Sequence, residues 1–307
     1  MPRLTLHFLL TILMCLYSSL SRADVRVLDF SEQSNVELSG TWHYYPKQLT
    51  VDTSTLAAIS VELPNSFEVM LGEVNHHGIF RQTFEIPHAA IGQPLALFIP
   101  YQYGAYRLYI NDKLMLKVGQ VGAVNQHRTQ MAPRLLIFTL DKAEFDIRLD
   151  FSSYQHIRGG PQNALVIGYE EPIRRHFYSH IIPATWVSGM LVMISLFMAL
   201  FAIYRLKLRQ PILPLLFLSL FILCFSLRSF FAVPFTYTLF TSIEWLWGTR
   251  IEYLLTALSC LFFINYIRYA LPNSLHYGIY AFLSCIICAN FLVILSQPPL
   301  IFQDFFF

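Results

Sequence analysis

No cysteine lies between Asp24 and His180, so nothing in that stretch can be stapled by a disulfide. A segment of about 150 residues must then hold itself with its own apolar core, and that is enough chain to build one. The five cysteines are Cys15, Cys224, Cys260, Cys285 and Cys288. Cys285 and Cys288 have C-x-x-C spacing but sit in an apolar run, where they read as small helix-packing residues. Charge is the second scarcity, at 13% of 307 residues. From His176 to Phe307 there are three acidic residues (Glu244, Glu252, Asp304) and six basic ones. Between Asp24 and Arg175 there are 16 acidic and 13 basic residues, so the chain divides into a water-compatible half and a bilayer half. No basic patch is dense enough for nucleic acid. No G-x-S-x-G, P-loop or H-E-x-x-H motif occurs. His76-His77 lacks a third ligand at useful spacing, so no metal is expected, and no cofactor.

The first residues have the pattern of an export signal over 1–23. Arg3 precedes the apolar run Leu4–Leu20, and Ser21–Ala23 places small residues at a cleavage site. A short uncleaved anchor is the alternative. Residues 24–178 then read as an exported β-sandwich domain. "GIFRQTFEIP" (78–87) alternates apolar and polar residues and stops at proline. "AYRLYINDKLMLKVG" (105–119) is two strands around Asn111-Asp112, a pair suited to a tight hairpin. In "EFDIRLDFSSY" (144–154), Phe145, Ile147, Leu149 and Phe151 share a face. Short strands at this spacing indicate an antiparallel sandwich.

"LSGTWHYYP" (38–46), "VELPNSF" (61–67) and the two runs 78–87 and 105–119 follow one another in an order that resembles the sugar-binding domain of family-two glycoside hydrolases. The resemblance implies an all-β jelly-roll, galactose-binding-like fold. Asp112 stands where that family usually has glycine. "SYQHIRGG" (153–160) with "ALVIG" (164–168) is similar to a signature in the exported domain of bacterial seven-transmembrane receptors with diverse intracellular signalling modules. That resemblance implies a sensor domain joined directly to membrane helices.

Residues 179–307 hold four apolar stretches long enough to span, at 181–204, 212–233, 246–267 and 277–295. "RLKLR" (205–209) marks the first inter-helix loop as cytoplasmic, and Arg268 lies on the same side. The N-terminal domain is then expected outside the cytoplasm, and the receptor resemblance implies anchoring in a bacterial inner membrane. Three further helices and an effector module, expected of the receptor family, are absent. The chain is therefore expected to be truncated, with a complete four-helix variant as the alternative.

Glycoside hydrolysis needs two facing carboxylates on a scaffold, and no motif pairs any two here, so the chain is expected not to be an enzyme. Ligand binding would use exposed aromatic and planar polar side chains near loop ends. Asn65, Tyr101, Gln102, Tyr103, His127, Arg128, His156 and Arg158 are the candidates, with loop solvation or edge packing as the alternative for each. Arg228 and Glu252 form a candidate ion pair between helices. The expected function is a membrane receptor for a small-molecule or carbohydrate ligand. Its partners are membrane lipid and either a cytoplasmic signalling protein or a second copy of the chain. A transporter or membrane-assembly subunit with an exported accessory domain is the alternative.

Overall fold

A computed structural model of the chain describes residues 25–30, 35–49, 57–272 and 274–306; the expected signal peptide lies outside them. Among the described residues eleven strands come first: β1 (Arg26–Val27), β2 (Val36–Glu37), β3 (Gly40–Pro46), β4 (Ile59–Leu63), β5 (His76–Glu85), β6 (Leu95–Ile99), β7 (Ala105–Ile110), β8 (Lys113–Val118), β9 (Arg134–Phe138), β10 (Glu144–Ser153) and β11 (Val166–Tyr169). A short helix, α1 (Phe67–Leu71), lies between β4 and β5. The larger sheet has the order β4-β3-β5-β10-β7-β8, with β1 parallel to the end of β5. The smaller runs β2-β11-β6-β9.

The two sheets share one core. Trp42, Tyr44, Phe80, Phe84, Tyr106, Leu108, Phe145 and Phe151 from the larger sheet meet Leu97, Ile99, Leu165 and Ile167 around the smaller. The alternation in β10 directs this outcome. Its odd positions enter the core, and Asp146, Arg148 and Asp150 take the opposite face. Trp42 is 1% exposed and belongs to the core. Asn111 and Asp112 both have positive φ, 49° and 59°, as a two-residue hairpin turn with the correct twist requires. Gly160 (φ 125°) threads against α1, where a Cβ would stand 2.8 Å from the Phe67 nitrogen.

Among the described residues four helices are long and apolar enough to cross a membrane: α2 (Glu170–Lys207), α3 (Leu213–Phe231), α4 (Trp245–Ala270) and α5 (Tyr277–Ser296). A fifth, α6 (Pro299–Phe306), is short, and its Phe302 packs on Tyr253 of α4 with ring centroids 5.3 Å apart. The sequence places the first span at Ile181, but α2 already begins at Glu170, directly after β11. Ile173, Phe177 and Ile181 explain the early start. They recur every four residues and pack on Ala96, Phe98 and Val166 of the smaller sheet. At 38 residues α2 is about 57 Å long, well beyond the ~30 Å hydrocarbon layer.

Small residues bring α2 and α3 together. Ser195 Oγ donates to the Ser219 carbonyl at 2.8 Å, and Ser219 Oγ returns a bond to the Ser195 carbonyl at 2.8 Å. Ser226 Oγ donates to the Ser188 carbonyl at 2.6 Å. Each removes an unpaired hydroxyl from an apolar medium, worth roughly 0.6–2 kcal/mol. The basic residues Arg205, Lys207 and Arg268 all fall at the helix ends remote from the sheets.

Candidate functional site

The loops that carry most of the expected ligand-binding residues converge on one end of the sandwich, the end that meets the helices. Here they face protein. Tyr101 and Tyr103 follow β6, and their rings pack edge to face at 5.6 Å. Tyr101 continues onto Phe235, in the α3–α4 connection, at 5.2 Å. The Tyr103 ring lies 4.5 Å from His156, and His156 lies 6.0 Å from Trp245, the first residue of α4. Arg128 pairs with Glu244 at 3.6 Å, both largely exposed. Met131, Phe235, Tyr237 and Trp245 form a buried cluster between sandwich and helices, with Tyr101 and Tyr103 against it. The connection is drawn in tightly: a Cβ on Gly248 would stand 2.2 Å from Tyr237 Oη.

The remaining candidates are tied up locally. Gln102 is buried, and its amide nitrogen donates to the Asn163 carbonyl at 2.8 Å. Asn65 Oδ1 accepts from the Ser66 N–H at 3.0 Å. Arg158 is exposed, and its N–H donates to His156 Nδ1 at 2.9 Å. His127 is buried, with Nδ1 2.7 Å from Ser152 Oγ and Nε2 2.7 Å from Thr129 Oγ1. One ring nitrogen donates and the other accepts, so a neutral imidazole satisfies both.

Histidines and tyrosines cluster at this end of the sandwich, and burial disfavours the charged imidazole. Burial pushes the His127 and His156 imidazoles down to about 4, and lowers His76 and His77 as well. Tyr44 Oη donates to the His77 carbonyl at 2.9 Å, so His76 Nδ1, 2.6 Å away, must donate to it in turn. His77 Nδ1 lies 2.5 Å from Tyr154 Oη. The adjacent histidines thus have tyrosine partners. Among the described residues no group of three or more His, Cys, Asp or Glu side chains is arranged to hold a metal.

A second feature lies on the outer face of the larger sheet, and the sequence reading missed it. Arg81 Nε donates to Asp146 Oδ1 at 2.9 Å, and Arg148 Nη1 to Asp112 Oδ1 at 2.8 Å. Arg148 stacks on Tyr109 at 3.8 Å from the ring centroid, and Asp150 sits between Arg148 (3.3 Å) and Arg107 (3.4 Å). The alternate positions of β10 held the signal, because acid, base, acid follow one another on the face opposite the core. Beside this ladder opens a cleft of about 1050 Å3. In the helices, Arg228 Nε donates to Thr256 Oγ1 at 2.8 Å, and Arg228 Nη2 is 3.8 Å from Glu252 Oε1.

No protein-family model and no curated protein matches the chain. Solved structures do resemble it, glycoside hydrolases among them. A family-two member from Bacteroides cellulosilyticus is 14% identical with a TM-score of 0.34, covering 44% of this chain and 20% of its own. A β-glucuronidase of Faecalibacterium prausnitzii is 11% identical at 0.35, covering 46% of this chain and 32% of its own. A β-D-mannosidase of Dictyoglomus thermophilum is 10% identical at 0.34, covering 44% and 22%. The chain therefore spans less than a third of these proteins' length. These neighbours are enzymes, contrary to the expectation of a non-enzyme. The likeness itself extends to the β-sheet-rich region and assigns no activity to it.

Proposed function

We propose that the chain is a membrane sensor. Its β-sheet region is a jelly roll outside the cytoplasm, anchored in a bacterial inner membrane by α2–α5. It binds a small molecule or carbohydrate and passes the signal through the helices to a cytoplasmic signalling protein or a second copy of the chain. Arg205, Lys207 and Arg268, which gather at the far helix ends, support this orientation.

One observation carries this reading: the sandwich holds the helices at two separate points. β11 runs into α2 without a linker, and the Glu170 N–H donates to the Pro94 carbonyl at 3.1 Å. The α3–α4 connection is held separately, through the aromatic cluster around Trp245 and the bond from the Trp245 N–H to Gln130 Oε1 at 3.0 Å. A ligand that changes the sandwich end therefore acts on α2 relative to the α3–α4 pair. It can do so only by binding two arrangements of the junction differently.

The test is hydrogen exchange on the detergent-solubilised chain, with and without a glycan that raises its thermal stability. Protection should change in segment 232–245 as well as in the sandwich. Stabilisation of the sandwich with unchanged exchange in that segment would sink the sensor reading.

A further inference from the structure

The cleft on the larger sheet lies away from the junction. The register places it at the opposite end, because β5 and β10 run antiparallel from His76 and Ser153 near the helices to Glu85 and Glu144 at the far end. His43 and Tyr45 of β3, Arg81 of β5, Asn111 of the hairpin turn, Lys142 just before β10 and Glu144 at its start border it. Arg81 is the fixed point. Asp146 holds its Nε edge at 2.9 Å, and Asp112 stands 3.8 Å from Nη2. The side chain still keeps 33% of its surface open. A guanidinium held in this way offers donors in a set direction before any ligand arrives.

The chemistry of the walls selects the ligand class. Carboxylates of Asp141, Glu144 and Asp146 outnumber the cations of Arg81 and Lys142, which disfavours an anionic ligand. An apolar ligand would strip water from these charges and return nothing. Hydroxyl groups both donate and accept, and so match a wall where acceptors and donors alternate. The rings of Tyr45 and His43 supply apolar surface for C–H groups. The volume lies just above the ~300–1,000 Å3 typical of small-molecule sites, room for more than one sugar ring.

We propose that this cleft binds a neutral oligosaccharide through Arg81, Asn111, Glu144 and the Tyr45 ring. The proposal rests on the sensor reading in one respect: it supplies that sensor's input. The connection is direct, since Arg81 lies five residues along β5 from His76, about 17 Å at the rise of a strand.

The experiment is calorimetric titration of the detergent-solubilised full chain. The probes are neutral gluco-, galacto-, manno- and xylo-oligosaccharides, an oligogalacturonate and inorganic phosphate. One neutral oligosaccharide should bind, and Tyr45→Ala and Glu144→Gln should each weaken it at least tenfold. Both sites border an open cleft, so these variants spare the core. Glu68→Gln, on the exposed face of α1, should bind as the unmodified chain does. Binding unaffected by both rim variants would move the site elsewhere and overturn the proposal. A preference for the oligogalacturonate or phosphate, or no binding by any probe, would overturn it equally. Sugar binding lost in the rim variants, with unchanged exchange in segment 232–245, would support the cleft and reject the sensor.

Discussion

The backbone N–H of Trp245 donates to Gln130 Oε1 at 3.0 Å, a bond between residues 115 positions apart. It joins the loop after β8 to the first residue of α4. The first N–H groups of a helix have no partner within it, so Gln130 acts as a cap delivered by another part of the chain.

Gln130→Ala should therefore loosen the junction before it affects either partner's core. The expected loss is about 1–2 kcal/mol, the cost of an unpaired donor in a partly buried place. Faster amide exchange confined to Trp245 and the connection before it would be the signature. Uniform exchange across that segment in both proteins would mean the bond carries no weight.

Acid should weaken the sandwich through His127. Burial holds its folded pKa at about 4, below the ordinary 6.5. As pH falls below 6.5 the unfolded chain takes up this proton first, so stability declines from pH 6.5 to about 4 and levels off below. The loss from this one group is on the order of 3 kcal/mol. His156, held at about 4 by its own burial, adds a second proton to the same window. His127→Gln should remove one proton from the slope of unfolding free energy against pH between 4 and 6.5. An unchanged slope would mean that His127 is solvated.

Asp112→Gly should destabilise the sandwich, although glycine suits the turn's positive φ better. Relief of the backbone is worth about 1 kcal/mol. Against it stands the loss of a charged hydrogen bond to Arg148, whose side chain is 4% exposed, costing roughly 1.5–3 kcal/mol. The net loss of about 1 kcal/mol is read from urea unfolding. A gain in stability would show that the turn's strain dominates.

Arg228→Ala should lower the thermal stability of the solubilised helices by about 1–2 kcal/mol, since it removes the bond to Thr256 and the contact with Glu252. Glu252→Gln should cost less, because Thr256 still receives the guanidinium. Equal losses in the two variants would place the stabilisation in the ion pair instead.

Much of the architecture was written locally. The alternation of Phe145, Ile147, Leu149 and Phe151 set which face of β10 is buried, because side chains on a strand alternate by rule. Asn111 and Asp112 specified a tight turn because both tolerate positive φ. The four apolar stretches announced membrane-compatible helices because length and hydropathy are properties of a segment. What each element meets is not local, and only the tertiary structure decided it. Tyr103, His156 and Trp245 come together because three separate loops end at the same edge of the sandwich. The start of α2 at Glu170 depended on Phe98 and Val166 being there to cover Ile173 and Phe177. Arg81 and Asp146 meet because β5 and β10 pair in one register, and a shift of one residue would have turned their side chains to opposite faces.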